Sequence, residues 1–324
     1  MTEMRALLGG LSPATHRPHP LHDSARDWPE TNCYVDLWIE VLSALGHDPI
    51  AALGFTAEQD FEGDQFTFFK FPLEDLAELF GLRVQELAIY DSLEAQIAEQ
   101  IARGRLVLVE VDAFYLPDTR GVSYGLEHSK TTIAVTRIDP REQRMEYFHN
   151  AGYFALAGVD YDGAMQRPPH SGDLLFPYAE FVKLARHDKT APHALARRLL
   201  RKHVALAPAS NPVRAFSRRL AQEIDALAAR DPSFFHKYAF NTLRQLGANF
   251  ELLGSHLEWL SRDDGSDFAE SIEGCRKLSA GAKSFQFQLA RATARKRVEG
   301  ATAALDELAN AWDRTLSGLR SALA

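Results

Sequence analysis

Strand-type alternation is confined to one stretch of this chain, and that confinement limits the folds open to it. The runs RLVLVEVDAFYLP (105–117), KTTIAVTRIDP (130–140) and REQRMEYFHNAG (141–152) are rich in β-branched and aromatic residues. A polar loop, DTRGVSYGLEHS, parts the first two runs, and a turn at Asp139-Pro140 joins the last two, which are expected to pair antiparallel. Helical spacing precedes them. TNCYVDLWIEVLSALGHDP places Val35, Leu37, Trp38, Val41, Leu42 and Leu45 on one broad apolar face, with Thr31 or Asn32 as cap and Gly46 as stop. PLEDLAELFGL and DSLEAQIAEQIARG supply two further helices, each ending at a glycine. From residue 177 onward every segment, FPYAEFVKLARH included, reads as helix. Helices followed by a small antiparallel sheet make an α+β order. The expected organisation is an extended lead-in at 1–28, an α+β domain at 29–176 and an all-helical domain at 177–324, with the boundary near Pro168–Pro177.

Composition narrows the classes. No apolar run is long enough for a membrane helix, and the N-terminus lacks a secretory h-region, so a cytoplasmic location is expected. Cys33 and Cys275 are the only cysteines, too few and too far apart for a disulfide framework or a structural zinc site. His16, His19 and His22 lie in a Pro-containing coil with no thiolate or carboxylate beside them, so they are read as surface residues and no metal is expected. Glycine-rich phosphate loops are absent, which argues against ATP or dinucleotide use. The net charge of −8 disfavours nucleic acid. Against that background, Lys183 to Arg219 carries ten basic residues and only Asp188 in opposition.

The candidate chemistry centres on Cys33. It falls in the first turn of a predicted helix, where free backbone N–H groups and the helix dipole favour a thiolate and an oxyanion. A base must come from elsewhere in the chain. His128, just ahead of the strand SKTTIAVTRI, suits that role, and Asn150, which ends the next strand, is expected to orient the imidazole, with Asp139 in reserve. A buried, inert cysteine remains the alternative reading of the same residues.

A cysteine opening a helix, a histidine heading a strand and a polar residue after the next strand together resemble the papain-like order. The pattern is similar to the N-terminal domain of butirosin biosynthesis protein H and to bacteriocin-processing cysteine peptidases. The whole chain more closely resembles domain-of-unknown-function family 1839. This resemblance implies a papain-like fold for the first domain, with Cys33 as nucleophile, His128 as base and Asn150 as orienting group. It implies an acyltransferase that moves an aminoacyl or acyl group from a carrier-protein thioester to an acceptor. The phosphopantetheine of a small acidic acyl carrier protein would be the substrate arm, no cofactor would be bound directly, and an amino acid:carrier-protein ligase would be a further partner. Related peptidases complete the oxyanion hole with a glutamine ahead of the cysteine. Here that stretch reads DWPETN, leaving Asn32 and Thr31 as the supporting residues. A thioesterase or peptidase of the same fold, and a non-catalytic binding partner of carrier protein or ligase, are the rival functions.

Two surfaces complete the expectation. Arg197, Arg198, Arg201, Lys202, Arg218 and Arg219 would dock an acidic carrier protein, or else form a solvated helix face. Asn241, Gln245, Asn249 and His256 repeat at near-helical spacing and would line a substrate pocket, or else bond to a neighbouring helix. Cys275 is expected to pack among the C-terminal helices.

Overall fold

The computed structural model describes residues 8–169, 175–185, 193–264, 267–296 and 304–324. Arg186 and Lys189 of the basic stretch lie outside the described residues. The chain forms two units, each drawn from three separate stretches of sequence. The first comprises Met1–Pro20, Cys33–Asp48 and Leu73–Thr190, and the second Leu21–Asn32, Pro49–Pro72 and Ala191–Ala324.

The first unit is α+β. Its helices are α1 (Cys33–Ala44), α2 (Leu73–Phe80), α3 (Leu93–Ala102) and α4 (Gly158–Ala164). Its strands are β1 (Leu82–Glu86), β2 (Leu106–Asp112), β3 (Lys130–Asp139), β4 (Arg144–His149), β5 (Gly152–Ala157) and β6 (Ala179–Leu184). They form one six-stranded sheet in the order β1-β6-β2-β3-β4-β5, with every neighbouring pair antiparallel. Because side chains alternate across a strand, the sheet buries two faces. One face sends Val107, Val109, Val111, Ile133, Val135 and Tyr147 against Leu93, Ile97 and Ile101 of α3 and Tyr161 of α4. The other is covered by α1, which packs on β3 and β4 and is buried from Tyr34 to Leu42.

The residues AEFVKL, expected to be helical, are instead the inner strand β6 between β1 and β2. A short run of this kind satisfies either periodicity, and pairing with two waiting strand edges decides it. The first unit therefore runs past residue 176, and the expected boundary there is corrected.

The lead-in is also not merely extended surface. Glu40 of α1 is fully buried; its carboxylate lies 2.9 Å from His16 Nε2 and accepts the His19 backbone N–H at 2.8 Å. The His16 ring meets Phe148 edge-on at 5.7 Å. A buried carboxylate needs such partners, and the coil supplies them.

The second unit is built on α5 (His193–Leu206), α6 (Pro212–Ala229), α7 (Pro232–Ala239), α8 (Gln245–Asp264), α9 (Ala269–Ala294) and α10 (Leu305–Leu323). Residues 21–32 belong here because Trp28 is buried: its indole donates to Ser279 O at 3.3 Å and lies against Gly247, where any Cβ would come within 2.5 Å of the ring. A run of tight 3-10 turns, Pro49–Glu58, packs on α5 and α8. A π-turn at Phe240–Arg244 joins α7 to α8; Asn241 O accepts the Phe66 N–H at 3.0 Å, and the Gln245 amide donates to Phe240 O at 3.2 Å.

His256 lies in this interior, fully buried, with Nδ1 2.7 Å from Ile50 O. Desolvation, offset in part by that carbonyl and assisted by His203 and His193, pushes its pKa down to about 4. The unfolded chain binds a proton there at about 6.5. Stability from this group is thus complete above pH 6.5 and is lost as pH falls towards 4, by about 3 kcal/mol. Urea titrations from pH 7 to pH 4 should show a shallower decline in His256→Gln than in wild type, whatever the variant's absolute stability.

Candidate active site

The sheet register determines which groups can meet. Residues paired across antiparallel strands share a face. Leu108 pairs with Glu180 and with Ala134, and Asp112 pairs with Lys130. Glu180, Asp112 and Lys130 therefore lie on one face. It is the face that α1 covers, since the Tyr34 hydroxyl donates to Glu180 Oε2 at 3.4 Å. Burial, and then the Glu180 charge, push the Tyr34 pKa well up, so that this hydroxyl stays protonated as a donor. Cys33 is the first residue of α1, one position before Tyr34, and is partly exposed. His128 lies two residues ahead of Lys130. The carboxyl end of β2 and the amino ends of β3 and β6 thus gather at one end of the sheet.

His128 is held by a carboxylate that the sequence reading did not single out. Its Nδ1 lies 2.5 Å from Asp112 Oδ2. The other carboxylate oxygen, Oδ1, accepts the backbone N–H of Phe114 at 3.0 Å and of Ser129 at 3.2 Å. Phe114 stacks on the imidazole at 4.4 Å with planes 13° apart. With Nδ1–H directed at Asp112, Nε2 is the nitrogen left to exchange a proton. The adjacent register position holds a second pair, Lys130 Nζ donating to Glu110 Oε1 at 2.6 Å.

The loop from Ala113 to Ser129 is pinned from beneath. Asp118 accepts from the Tyr147 hydroxyl at 2.5 Å and lies 2.5 Å from His149 Nδ1, while His149 Nε2 lies 2.7 Å from Thr131 Oγ1. Burial and the Asp118 charge raise the Tyr147 pKa, which preserves it as a donor. His128 and Asp112 also border a cavity of about 510 Å³, together with Glu110, Lys130, Tyr115 and Pro177.

The remaining expected residues fall as follows. Asn150 follows β4 with φ 46°, a left-handed position at the β4–β5 turn, and the His128 Nδ1 it was expected to orient faces Asp112. Asp139 closes the opposite end of β3, bonding the N–H groups of Arg141 and Glu142. Ten residues of strand, roughly 30 Å, separate that end from the one near His128, so Asp139 cannot orient its ring. Asn32 and Thr31 belong to the second unit. The Asn32 amide donates to Phe69 O at 3.1 Å, and Thr31 O accepts from Arg244 at 2.9 Å.

The polar stripe of the second unit is spent on main-chain carbonyls: Asn241 donates to Lys237 O, Gln245 to Phe240 O and Asn249 to Thr56 O, while His256 meets Ile50 O. In the basic set, Arg197 and Arg201 donate to the carbonyls of Ala322 and Leu323 at the end of α10. Arg219 pairs with Glu223, while Arg198, Lys202 and Arg218 are exposed on α5 and α6. Among the described residues no cluster of His, Cys, Asp and Glu could hold a metal, and no helix is long and apolar enough to cross a membrane.

Asp112 had a readable signal. It ends the strand LVLVEVD, and the carboxyl end of one strand must lie beside the amino end of its antiparallel neighbour. What the sequence left open was which neighbour of β3 would supply the acid.

Fold and site together define a two-unit protein: an α+β unit with a six-stranded antiparallel sheet carrying a His–Asp pair at one end, and a helical unit. Residues 17–184 match the DUF1839 N-terminal domain and residues 189–321 the DUF1839 C-terminal domain, so the chain belongs to the DUF1839 family. No curated protein matches it.

Cys33 and Cys275 differ sharply. Cys275 is fully buried, and desolvation together with the Glu258 charge raises its pKa. An alkylating reagent near neutral pH should modify Cys33 at least about tenfold faster than Cys275, read by peptide mass mapping. Equal and slow modification of both would mean that the Cys33 thiol is not available.

Proposed function

We propose that this protein is a cysteine-dependent acyltransferase with a papain-like first domain, related in site design to the N-terminal domain of butirosin biosynthesis protein H. The observation that carries this reading is the His128–Asp112 pair just ahead of β3, a strand on which the helix that begins with Cys33 packs. A helix amino terminus favours a thiolate, and an imidazole backed by a carboxylate is the base such a thiol needs.

In this mechanism Cys33 gives its proton to His128 Nε2 and attacks the carbonyl of a carrier-protein thioester. The bond between acyl carbon and carrier sulfur breaks, and the released thiol takes the proton from His128. An acceptor amine then attacks the Cys33 acyl thioester, His128 accepts the amine proton, and the Cys33 sulfur leaves and is reprotonated. Asp112 remains ionised throughout and holds the ring in one tautomer. Backbone N–H groups at the amino end of α1, with the helix dipole, stabilise the developing oxyanion. Exchange of thiol for thiol conserves bond energy, which leaves the protein mainly a task of positioning.

The carrier protein is the proposed partner, with its phosphopantetheine as substrate arm and an amino acid:carrier-protein ligase as the upstream enzyme. Arg198, Lys202 and Arg218 are exposed on α5 and α6 and suit an acidic surface. Incubation with acyl-loaded carrier protein should add the acyl mass to wild type and not to Cys33→Ala, as read by intact-mass spectrometry. Asp112→Asn should slow adduct formation by about 10²- to 10⁴-fold while leaving the fold intact. Unchanged carrier loading with both wild type and Cys33→Ala would overturn the enzyme reading.

A further inference from the structure

The cavity beside His128 has two chemically different walls. One is made by the strand ends, where Glu110, Asp112, His128 and Lys130 stand. Lys130 is paired with Glu110 at 2.6 Å, and His128 Nδ1–H is directed at Asp112 at 2.5 Å. The lysine of this wall therefore already has its counter-ion. The other wall, formed by Val111, Tyr115, Gly163, Ala164 and Pro177, is apolar except for Gln166. The residues flanking Pro177 continue this character outwards: Leu175, Phe176 and Tyr178 are 89%, 55% and 49% exposed. Exposed apolar side chains in a segment that borders a cavity commonly mark a ligand site. At about 510 Å³ the volume lies within the range of small-molecule sites, roughly 300–1,000 Å³.

One contact sets the size of this space. The Tyr115 ring lies directly on Gly163 of α4: a methyl group at that position would come 2.2 Å from Cδ1 and 2.4 Å from Cε1. No side chain fits there unless the ring moves, and the ring is itself part of the cavity wall. Tyr115 also stands edge-on to His128 at 6.4 Å, so its position fixes the distance from the imidazole to the apolar wall.

We propose that this cavity is an acyl pocket for short, uncharged, apolar acyl groups, and that Tyr115 backed by Gly163 is its specificity determinant. The proposal rests on the acyl-transfer reading for the identity of the ligand and extends it to which acyl group is taken. An apolar chain fits because it displaces water from the Val111, Ala164 and Pro177 wall and asks for no counter-ion. A charged acyl group fits poorly because it would lose hydration without gaining an unpaired counter-ion.

The test separates binding from chemistry by using the full-length Cys33→Ala protein and S-acyl pantetheines, titrated calorimetrically. Butyryl-pantetheine should bind about tenfold more tightly than acetyl-pantetheine, the worth of two buried methylenes, and succinyl-pantetheine should bind more weakly than butyryl. Tyr115→Ala should move the preference from butyryl towards octanoyl. Gly163→Ala should weaken butyryl binding about tenfold, with an unchanged circular dichroism spectrum establishing that the fold is retained. Equal affinities for the acetyl, butyryl and succinyl compounds would overturn the proposal. So would a rank order that neither Tyr115→Ala nor Gly163→Ala alters. If the pocket binds selectively but wild type forms no acyl adduct, the pocket assignment stands and the transferase reading fails. If adducts form at equal rates with all three acyl groups, the transferase reading stands and the pocket assignment fails.

Discussion

The antiparallel register between β2 and β3 is the constraint on which most of the first unit depends. It sends Val107, Val109, Val111, Ile133 and Val135 into the core beneath α3 and α4. By the same alternation it turns Glu110, Asp112 and Lys130 to the face beneath α1. A slip of one residue would bury the charges and expose the valines, so the hydrophobic effect that selects the register also places the acid beside His128. The core and the site are two consequences of one pairing.

The site is over-determined around Asp112. One carboxylate oxygen faces the imidazole and the other collects two backbone N–H groups, from Phe114 on one side of the loop and Ser129 on the other. The carboxylate therefore ties both ends of the 113–129 loop together as well as orienting the ring. The buried Asp118, Tyr147, His149 and Thr131 network fixes the same loop from the core side. Such fully bonded polar networks confer a single geometry because any departure strands a buried polar group.

In the second unit the long helix α8 does comparable work. Gln245, Asn249 and His256 sit on a face that a sequence pattern marks as polar, yet all three are buried and bonded to main-chain carbonyls at Phe240, Thr56 and Ile50. The turns of residues 49–58 present the Ile50 and Thr56 carbonyls, and His256 and Asn249 answer them. A periodic polar stripe is thus as readily a clamp for irregular backbone as a pocket lining.

Much was legible in the chain itself: the helix opened by Cys33, the strands around 106–149, the helical character of the C-terminal region, and the burial of Cys275. These follow from local periodicity and caps, which neighbouring residues fix among themselves. Tertiary structure alone decided that AEFVKL would be an inner strand, because the same spacing serves helix and sheet until two strand edges compete for it. It alone decided that residues 21–32 and 49–72 belong with the helical unit, since Trp28 and the tight turns bury against helices more than a hundred residues away in sequence. And it chose Asp112 over Asn150 and Asp139 as the partner of His128, because a strand has two neighbours and only the assembled sheet specifies whose terminal side chain reaches the ring.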